Sequence, residues 1–361
     1  MIEEALMARG EYEPAPVTTV SRRWRAASVG MAALFLQALS GGFATGPAHA
    51  TEGGAGLYVP GLRGPLAGVV PPPGFYFNND AYYYYGELPG ARRLQIGGAV
   101  VINVKQRAYV DFVTPIWVTP LEILGGNLAF SVSLPFGAPY VSAGAVIVAP
   151  RLGRAFAFKQ RDQDFNFGDP VVSSFIGWHS GNFHWSAGVS VSIPAGGYEE
   201  GELSNVALNR PIGDIYGALT WLDPVLGLDV SGAIGFEING ENLDTDYDSG
   251  NALHADLAIS KNLTKELSIG VLAAHYQQVT NDGGEGNRVG PNKGRVTALG
   301  GTVAYNFTVG QTPVSTRIRV LREVETENRF RGTIGVFTVS FPLGGQAHAA
   351  PAEPQPIRVQ Y

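Results

Sequence analysis

The sequence predicts an all-β fold, an antiparallel transmembrane outer-membrane β-barrel of about twelve strands. Three observations point there. An export signal opens the chain, the remainder alternates apolar with small or polar residues at period two, and the connectors between strands alternate long and short.

Arg22, Arg23 and Arg25 form a positive cluster, followed by an apolar stretch over residues 26–39. Gly41, Gly42 and Pro47 end it, and Ala48-His49-Ala50 supplies a small-x-small site, so cleavage is expected after Ala50. The acidic residues Glu3, Glu4, Glu11 and Glu13 are unusual ahead of such a signal and suggest that translation begins at Met7 or later. The apolar run is too short to anchor the chain as a helix, and no later stretch reaches the roughly 18 apolar residues that a membrane helix needs. A membrane location therefore requires strands.

Composition narrows the function classes. The chain contains 0 cysteines, which excludes a disulfide framework and thiolate chemistry. A net charge of −6 argues against a nucleic-acid partner, whose phosphates would demand a basic face. Glycine is abundant, 48 of 361 residues, yet it sits inside alternating segments rather than in a collagen period or a flexible linker.

Residues 51–73 are rich in Gly and Pro and end in Pro71-Pro72-Pro73. Proline has no N–H to give to a ladder, so the segment reads as an extended arm, lying in the periplasm or folded into the lumen. From Gly74 the chain becomes a succession of strands. In 228–239, Leu228, Val230, Ile234, Phe236 and Ile238 share one face, and Asp229, Ser231, Ala233, Gly235, Glu237 and Asn239 the other. Segments 183–193 and 253–260 alternate in the same way, at about the 9–11 residues a tilted strand needs to cross a bilayer. A soluble sandwich would place more Lys and Glu on its polar face. Here that face carries Gly, Ala, Ser and isolated charges, as a crowded lumen would.

The first four strands are expected near 74–85, 95–110, 126–136 and 168–179. Eight more follow near 182–194, 213–222, 226–239, 250–261, 266–279, 294–309, 313–322 and 332–341. Residues 111–125 and 137–167 fit this count least well. The stretch Tyr140 to Pro150 is apolar enough to be another strand or to fold inward from an external loop, so fourteen strands are the alternative. Short connectors fall at Ser180-Gly181, 222–226, 262–265 and 310–313. Long ones fall at 195–212, 240–249, 280–293 and 323–331. Outer-membrane barrels have short periplasmic turns and long external loops in strict alternation.

Trp178, Trp185 and Trp221 flank short turns, and Trp117 precedes the turn expected at 119–126; these rings fit a periplasmic girdle, where an indole keeps its N–H at the interface. Tyr82, Tyr83, Tyr84 and Tyr85 cluster at the outer end of the first strand. They belong to the external girdle or line an entry pocket for aromatic ligands. Phe337, Val339 and Phe341 place aromatics at the end of the last strand, the kind of signal the barrel-assembly machinery reads, before a Pro-rich tail over 344–361 expected in the periplasm.

Parity places Asp229, Glu237, His254 and Asp256 inward on adjacent strands and Arg317 and Arg319 inward on a later one, since a charge facing lipid would cost ~2–4 kcal/mol. They form either a polar rail along a permeation path or a set of salt bridges knitting a narrow wall. No other constellation carries chemistry. The six histidines show no helical metal spacing, the loop from Glu241 to Asp248 lacks the glycine and terminal glutamate of a calcium hand, and no Gly-x-Ser-x-Gly elbow occurs. No metal, no cofactor and no enzyme activity are expected.

Several stretches together carry a family resemblance: Pro71 to Tyr76, Gly168-Asp169-Pro170 leading to Gly177-Trp178-His179, Pro194 to Tyr198, and Asn205 to Arg210. Leu219 to Pro224, Asn239 to Asn242, Thr245 to Gly250, Tyr276-Gln277-Gln278 and Glu327-Asn328-Arg329 continue it. In this order, over roughly residues 60–343, the chain resembles the meta-pathway phenol-degradation-like family of outer-membrane transporter proteins. The resemblance implies an outer-membrane channel passing small hydrophobic, aromatic compounds passively, with membrane lipid and lipopolysaccharide around it. The alternative is a non-transporting structural or surface-binding barrel with a packed lumen.

Overall fold

The computed structural model describes residues 51–90, 92–149 and 154–344; the expected signal segment and nearly all of the expected tail lie outside them. Twelve strands make the barrel. They are β1 (Gly74–Glu87), β2 (Ala99–Ile123), β3 (Gly126–Gly137), β4 (Val171–Ser180), β5 (Phe183–Ser192) and β6 (Ile212–Asp223), then β7 (Leu228–Asn239), β8 (Ala252–Asn262), β9 (Leu267–Gln278), β10 (Arg295–Val309), β11 (Thr312–Glu327) and β12 (Arg331–Leu343). Each pairs antiparallel with its neighbours in sequence, and β1 closes the ring by pairing with both β2 and β12. Closure removes the free edges that would leave backbone groups unpaired in lipid.

The period-two pattern decides which face each residue takes. Ile215, Ile234, Val271, Val320 and Phe337 stand exposed on the outer face, while Asp214, Ser231, Asp256 and Ala274 between them are buried on the inner one. The short turns at Leu124-Gly125, Gly181-Asn182, 224–227, 263–266 and Gly310-Gln311 lie at one end, the periplasmic end of such a barrel. Leu124, Gly125, Gly181, Gly227 and Gly310 take positive φ in them, as tight hairpin turns require.

The departures from the expected strands have local causes. The segment 95–110 spans a hairpin: Gly97 and Gly98 both have positive φ and turn Arg93–Ile96 back onto the start of β2. Beyond it β2 runs unbroken through 111–125, which the prolines Pro115 and Pro120 disguise. Pro115 lacks an N–H, and the β2–β3 ladder is interrupted at Thr114-Pro115 yet resumes at Ile116 in the same register. The outer half of β2 pairs with a hairpin of Tyr140–Ala149 and Arg154–Gln163, so that apolar stretch is a strand outside the ring and the barrel count stays at twelve. The expected long loop at 323–331 is also shorter: β11 and β12 continue to Glu327 and from Arg331, leaving three residues between them.

Candidate functional site

The lumen is occupied by the chain's own arm. Residues 51–73 run through it from the long-loop end to the short-turn end, bonded at each level to inward side chains. At the outer end the Thr51 N–H donates to Gln278 Oε1 at 3.2 Å, and Glu52 accepts from Asn242 Nδ2 at 2.9 Å and Thr245 Oγ1 at 3.1 Å. Arg210 and Arg329 donate to the carbonyls of Ala55 and Gly54 at 2.8 and 2.6 Å. At the inner end the Gly68 N–H meets Thr220 Oγ1 at 3.0 Å.

Between these anchors the arm meets the carboxylates. Leu57 N–H donates to Glu237 Oε1 at 2.6 Å, Gly61 N–H to Asp256 Oδ1 at 2.8 Å, and Leu66 N–H to Asp229 Oδ2 at 3.1 Å. Arg63 binds Asp214 Oδ2 at 2.9 Å and lies 3.3 Å above the Tyr216 ring. Asp214 Oδ1 also meets His254 Nε2 at 2.9 Å, and Tyr58 stacks on that imidazole with centroids 4.1 Å apart. Every inward carboxylate of β6, β7 and β8 is thus held by the arm. A β-carbon on Gly61 would strike the Leu321 side chain of β11 at 2.8 Å, so the arm here touches walls on both sides of the lumen. Gly61 also has a φ of +81°, which few residues other than glycine adopt.

The six charged residues singled out in the sequence all face inward, but the structure does not gather them into one constellation. Asp229, Glu237 and Asp256 bond to the arm, and Asp229 also to Ser231 and Ser260. Arg319 lies 3.6 Å from Asp80 and donates to Thr338 at 3.2 Å. Arg317 donates to Thr302 Oγ1 at 3.5 Å. Glu237 Oε2, Asp256 Oδ2 and His254 Nδ1 are buried without a partner among the described residues. Buried polar atoms left unbonded cost roughly 1–3 kcal/mol each, a cost that access of water would relieve.

The tyrosine cluster divides by parity. Tyr83 and Tyr85 are exposed on the outer face, whereas Tyr82 and Tyr84 face inward, stacked 6.4 Å apart. Tyr84 donates to Glu323 Oε2 at 2.8 Å. Trp117, Trp178, Trp185 and Trp221 sit on outward positions toward the short-turn end. Trp117 stacks on Phe75 at 5.8 Å, Trp178 on Trp185 at 6.4 Å, and Trp178 Nε1 donates to the Leu124 carbonyl at 3.1 Å. An indole there keeps its ring in the apolar band and its N–H satisfied.

Beside the arm's outer half lies a cavity of about 200 Å³ against β1, β2 and β12, lined by Tyr82, Tyr84, Ala108, Phe112, Phe330 and Ile334. At the other end a second hollow of about 660 Å³ is lined by Tyr76, Asn78, Asn306, Ser315 and Ser340 together with Pro71 of the arm. The first is walled by aromatic rings, the second mixes those polar side chains with Phe77, Ile116, Phe307 and Phe341, and the arm's contacts at Gly61, Arg63 and Leu66 lie between their levels.

Residues that carry much of this arrangement escaped the sequence. Asp214 and Asp80 stand at inward parity in strands the pattern had located, so parity could have found them; Glu323 falls in the stretch expected as a loop, where β11 continues. Arg63 and Tyr58 could not be found that way, because the arm has no periodicity and Arg63 lies 151 positions from its partner.

The fold and the threaded lumen define a class, the outer-membrane channel-type β-barrels. Within it, the model of the family described as "Putative MetA-pathway of phenol degradation" matches residues 91–338, more than half of the chain, and the protein belongs to that family. Among solved structures it is similar to the COG4313 outer membrane channel from Pseudomonas putida F1, with 17% identity and a TM-score of 0.57 over 75% of this chain and 96% of that one. A Pseudomonas aeruginosa FadL homologue matches at 10% identity and a TM-score of 0.38, over 82% and 98% of the two chains. No curated protein sequence matches the chain.

Proposed function

We propose that the protein is an outer-membrane channel through which small hydrophobic, aromatic compounds pass passively, with the arm as its gate. One observation carries this reading: along its middle the arm's backbone N–H groups and Arg63 are held by inward carboxylates, beside apolar contacts of Tyr58 and Leu62. Such polar contacts can be exchanged for water one at a time, so the arm can leave its track without unfolding the barrel. The family and the fold resemblance to a channel support the same reading, and the aromatic hollow outside and the mostly apolar hollow inside give a hydrophobic solute two resting places.

A non-transporting barrel would need a lumen packed for permanence. Against it stand the unbonded oxygens of Glu237 and Asp256 and the unbonded Nδ1 of His254. The test is flux: purified protein in liposomes should admit phenol and toluene faster than protein-free vesicles. No excess flux for either solute, with the barrel shown to be folded and inserted, would overturn the channel reading.

A further inference from the structure

The outer cavity has the makings of a specific site, and three of its properties decide what it would hold. The first is size. An apolar cavity of about 150 Å³ suffices for benzene; this one, at about 200 Å³, takes one ring with a small substituent and not two rings. The second is its wall. Tyr82 stacks parallel to Tyr84 at 6.4 Å and meets Phe112 edge-on at 6.4 Å, while Phe330 meets Tyr84 edge-on at 6.5 Å. These rings can face another ring in the offset or edge-to-face geometries that aromatic pairs prefer.

The third property is its polar groups. Arg329 lines the cavity and is nine-tenths buried; its Nη2 is taken by the Gly54 carbonyl and its guanidinium lies 4.3 Å over the Tyr276 ring, but Nη1 is buried with no hydrogen-bond partner among the described residues. Glu323 also lines it, accepting from Tyr84 Oη at 2.8 Å and from Gly332 N–H at 2.5 Å. With Asp169 also in the lining, its oxygens taken by backbone N–H groups, one cation against two carboxylates leaves no surplus positive charge to welcome a carboxylate ligand. An unpaired guanidinium N–H instead asks for a neutral oxygen, and leaving it unpaired penalises a ligand that lacks one.

We propose that this cavity binds one uncharged, single-ring aromatic molecule bearing a hydrogen-bonding oxygen (a phenol, aryl alcohol or aryl ketone), with the oxygen accepting from Arg329 Nη1 and the ring against Tyr82 and Phe112. The inference rests on the channel reading, for it makes the cavity the first resting place of the solute, but it can fail separately.

The test uses the full chain in detergent with 4-fluorophenol, fluorobenzene and 4-fluorobenzoate as fluorine NMR probes. Expected is saturable line broadening with 4-fluorophenol bound about tenfold more tightly than fluorobenzene. Ala108→Leu, which fills the cavity, should abolish both, with Val110→Leu as a milder filling variant should the first not fold. Arg329→Lys keeps a donor for the Gly54 carbonyl but loses the fork, and should shrink the preference for the phenol. Equal affinity for the phenol and fluorobenzene, tightest binding of the benzoate, or broadening unchanged in both filled variants would each overturn the site. Liposome flux that persists in the filled variants would leave the channel standing without it.

Discussion

Removing the Arg63 side chain should open the barrel. Arg63 reaches a carboxylate whose side chain is 3% exposed, while its own is 27% exposed, and its guanidinium also covers the Tyr216 ring. Breaking a buried pair by deleting one partner costs about 3–5 kcal/mol, because the other charge is left uncompensated. Arg63 is partly wet and Asp214 keeps His254, so the lower end, about 3 kcal/mol, is the better figure for Arg63→Ala. What matters is which state bears it. With the arm docked, Asp214 remains buried; with the arm displaced, water enters and solvates it. The penalty falls on the closed state alone, and about 3 kcal/mol shifts the closed-to-open ratio roughly a hundredfold. Single-channel recording in planar bilayers reads that ratio directly. Arg63→Ala should raise open probability far above wild type, and Arg63→Lys should fall between them. If Arg63→Ala gates like wild type while retaining the heat-dependent gel mobility of a folded barrel, the arm is not the gate.

Other perturbations act on neighbouring links. Gly68→Val would drive a β-carbon toward the His184 carbonyl at 2.6 Å and the Thr220 nitrogen at 2.8 Å, releasing the arm's inner anchor; liposome swelling should rise with barrel content unchanged by circular dichroism. Gly300→Ala strikes the Val320 carbonyl at 2.0 Å, backbone that cannot yield, so β10 and β11 should fail to pair and the gel should show only unfolded protein. Trp178→Ala removes a stacking partner and one hydrogen bond at the periplasmic rim, and should lower the urea midpoint by an amount equivalent to about 1–2 kcal/mol without altering flux. In the loop between β9 and β10, burial raises the Asp282 carboxyl despite bonds from Tyr247 Oη at 2.7 Å and Gly250 N–H at 2.8 Å. A carboxyl raised on folding favours the folded loop most below the unfolded value of about 3.9 and loses that advantage as pH rises through the folded one. Hydrogen exchange at Gly250 should therefore quicken across that window, and Asp282→Asn should flatten the dependence.

What the chain discloses before folding follows from how each part is held. In β7 and β8 every second residue faces lipid, so a misplaced charge is costly and the pattern is sharp; Asp229, Glu237, His254 and Asp256 are readable by parity alone. The outer part of β2 is not. Asn103 takes a φ of +51° at a bulge where the pairing jumps from Ile102 to Lys105, and inward parity changes sides across it, from Val101 to Val104. Beyond the bilayer no lipid penalises either face, and the pattern relaxes. The arm is the extreme case. Many of its contacts run through backbone groups, which nearly every residue supplies, and the side chains that do bond, Glu52, Tyr58 and Arg63, stand at no regular spacing.

That economy bears on gating. Because Leu57, Gly61 and Leu66 bind through their N–H groups, side-chain substitutions at Leu57 and Leu66 should leave docking nearly intact, whereas replacing the wall's acceptors should not. Asp256→Asn keeps an acceptor oxygen for Gly61 N–H but discards the charge; Asp256→Ala discards both. A neutral acceptor gives roughly half the strength of a charged one, so open probability should climb in the order wild type, Asp256→Asn, Asp256→Ala. A reversed order would mean that the buried charge itself strains the closed state, and that Asp256 is kept for the solute's passage rather than for holding the arm.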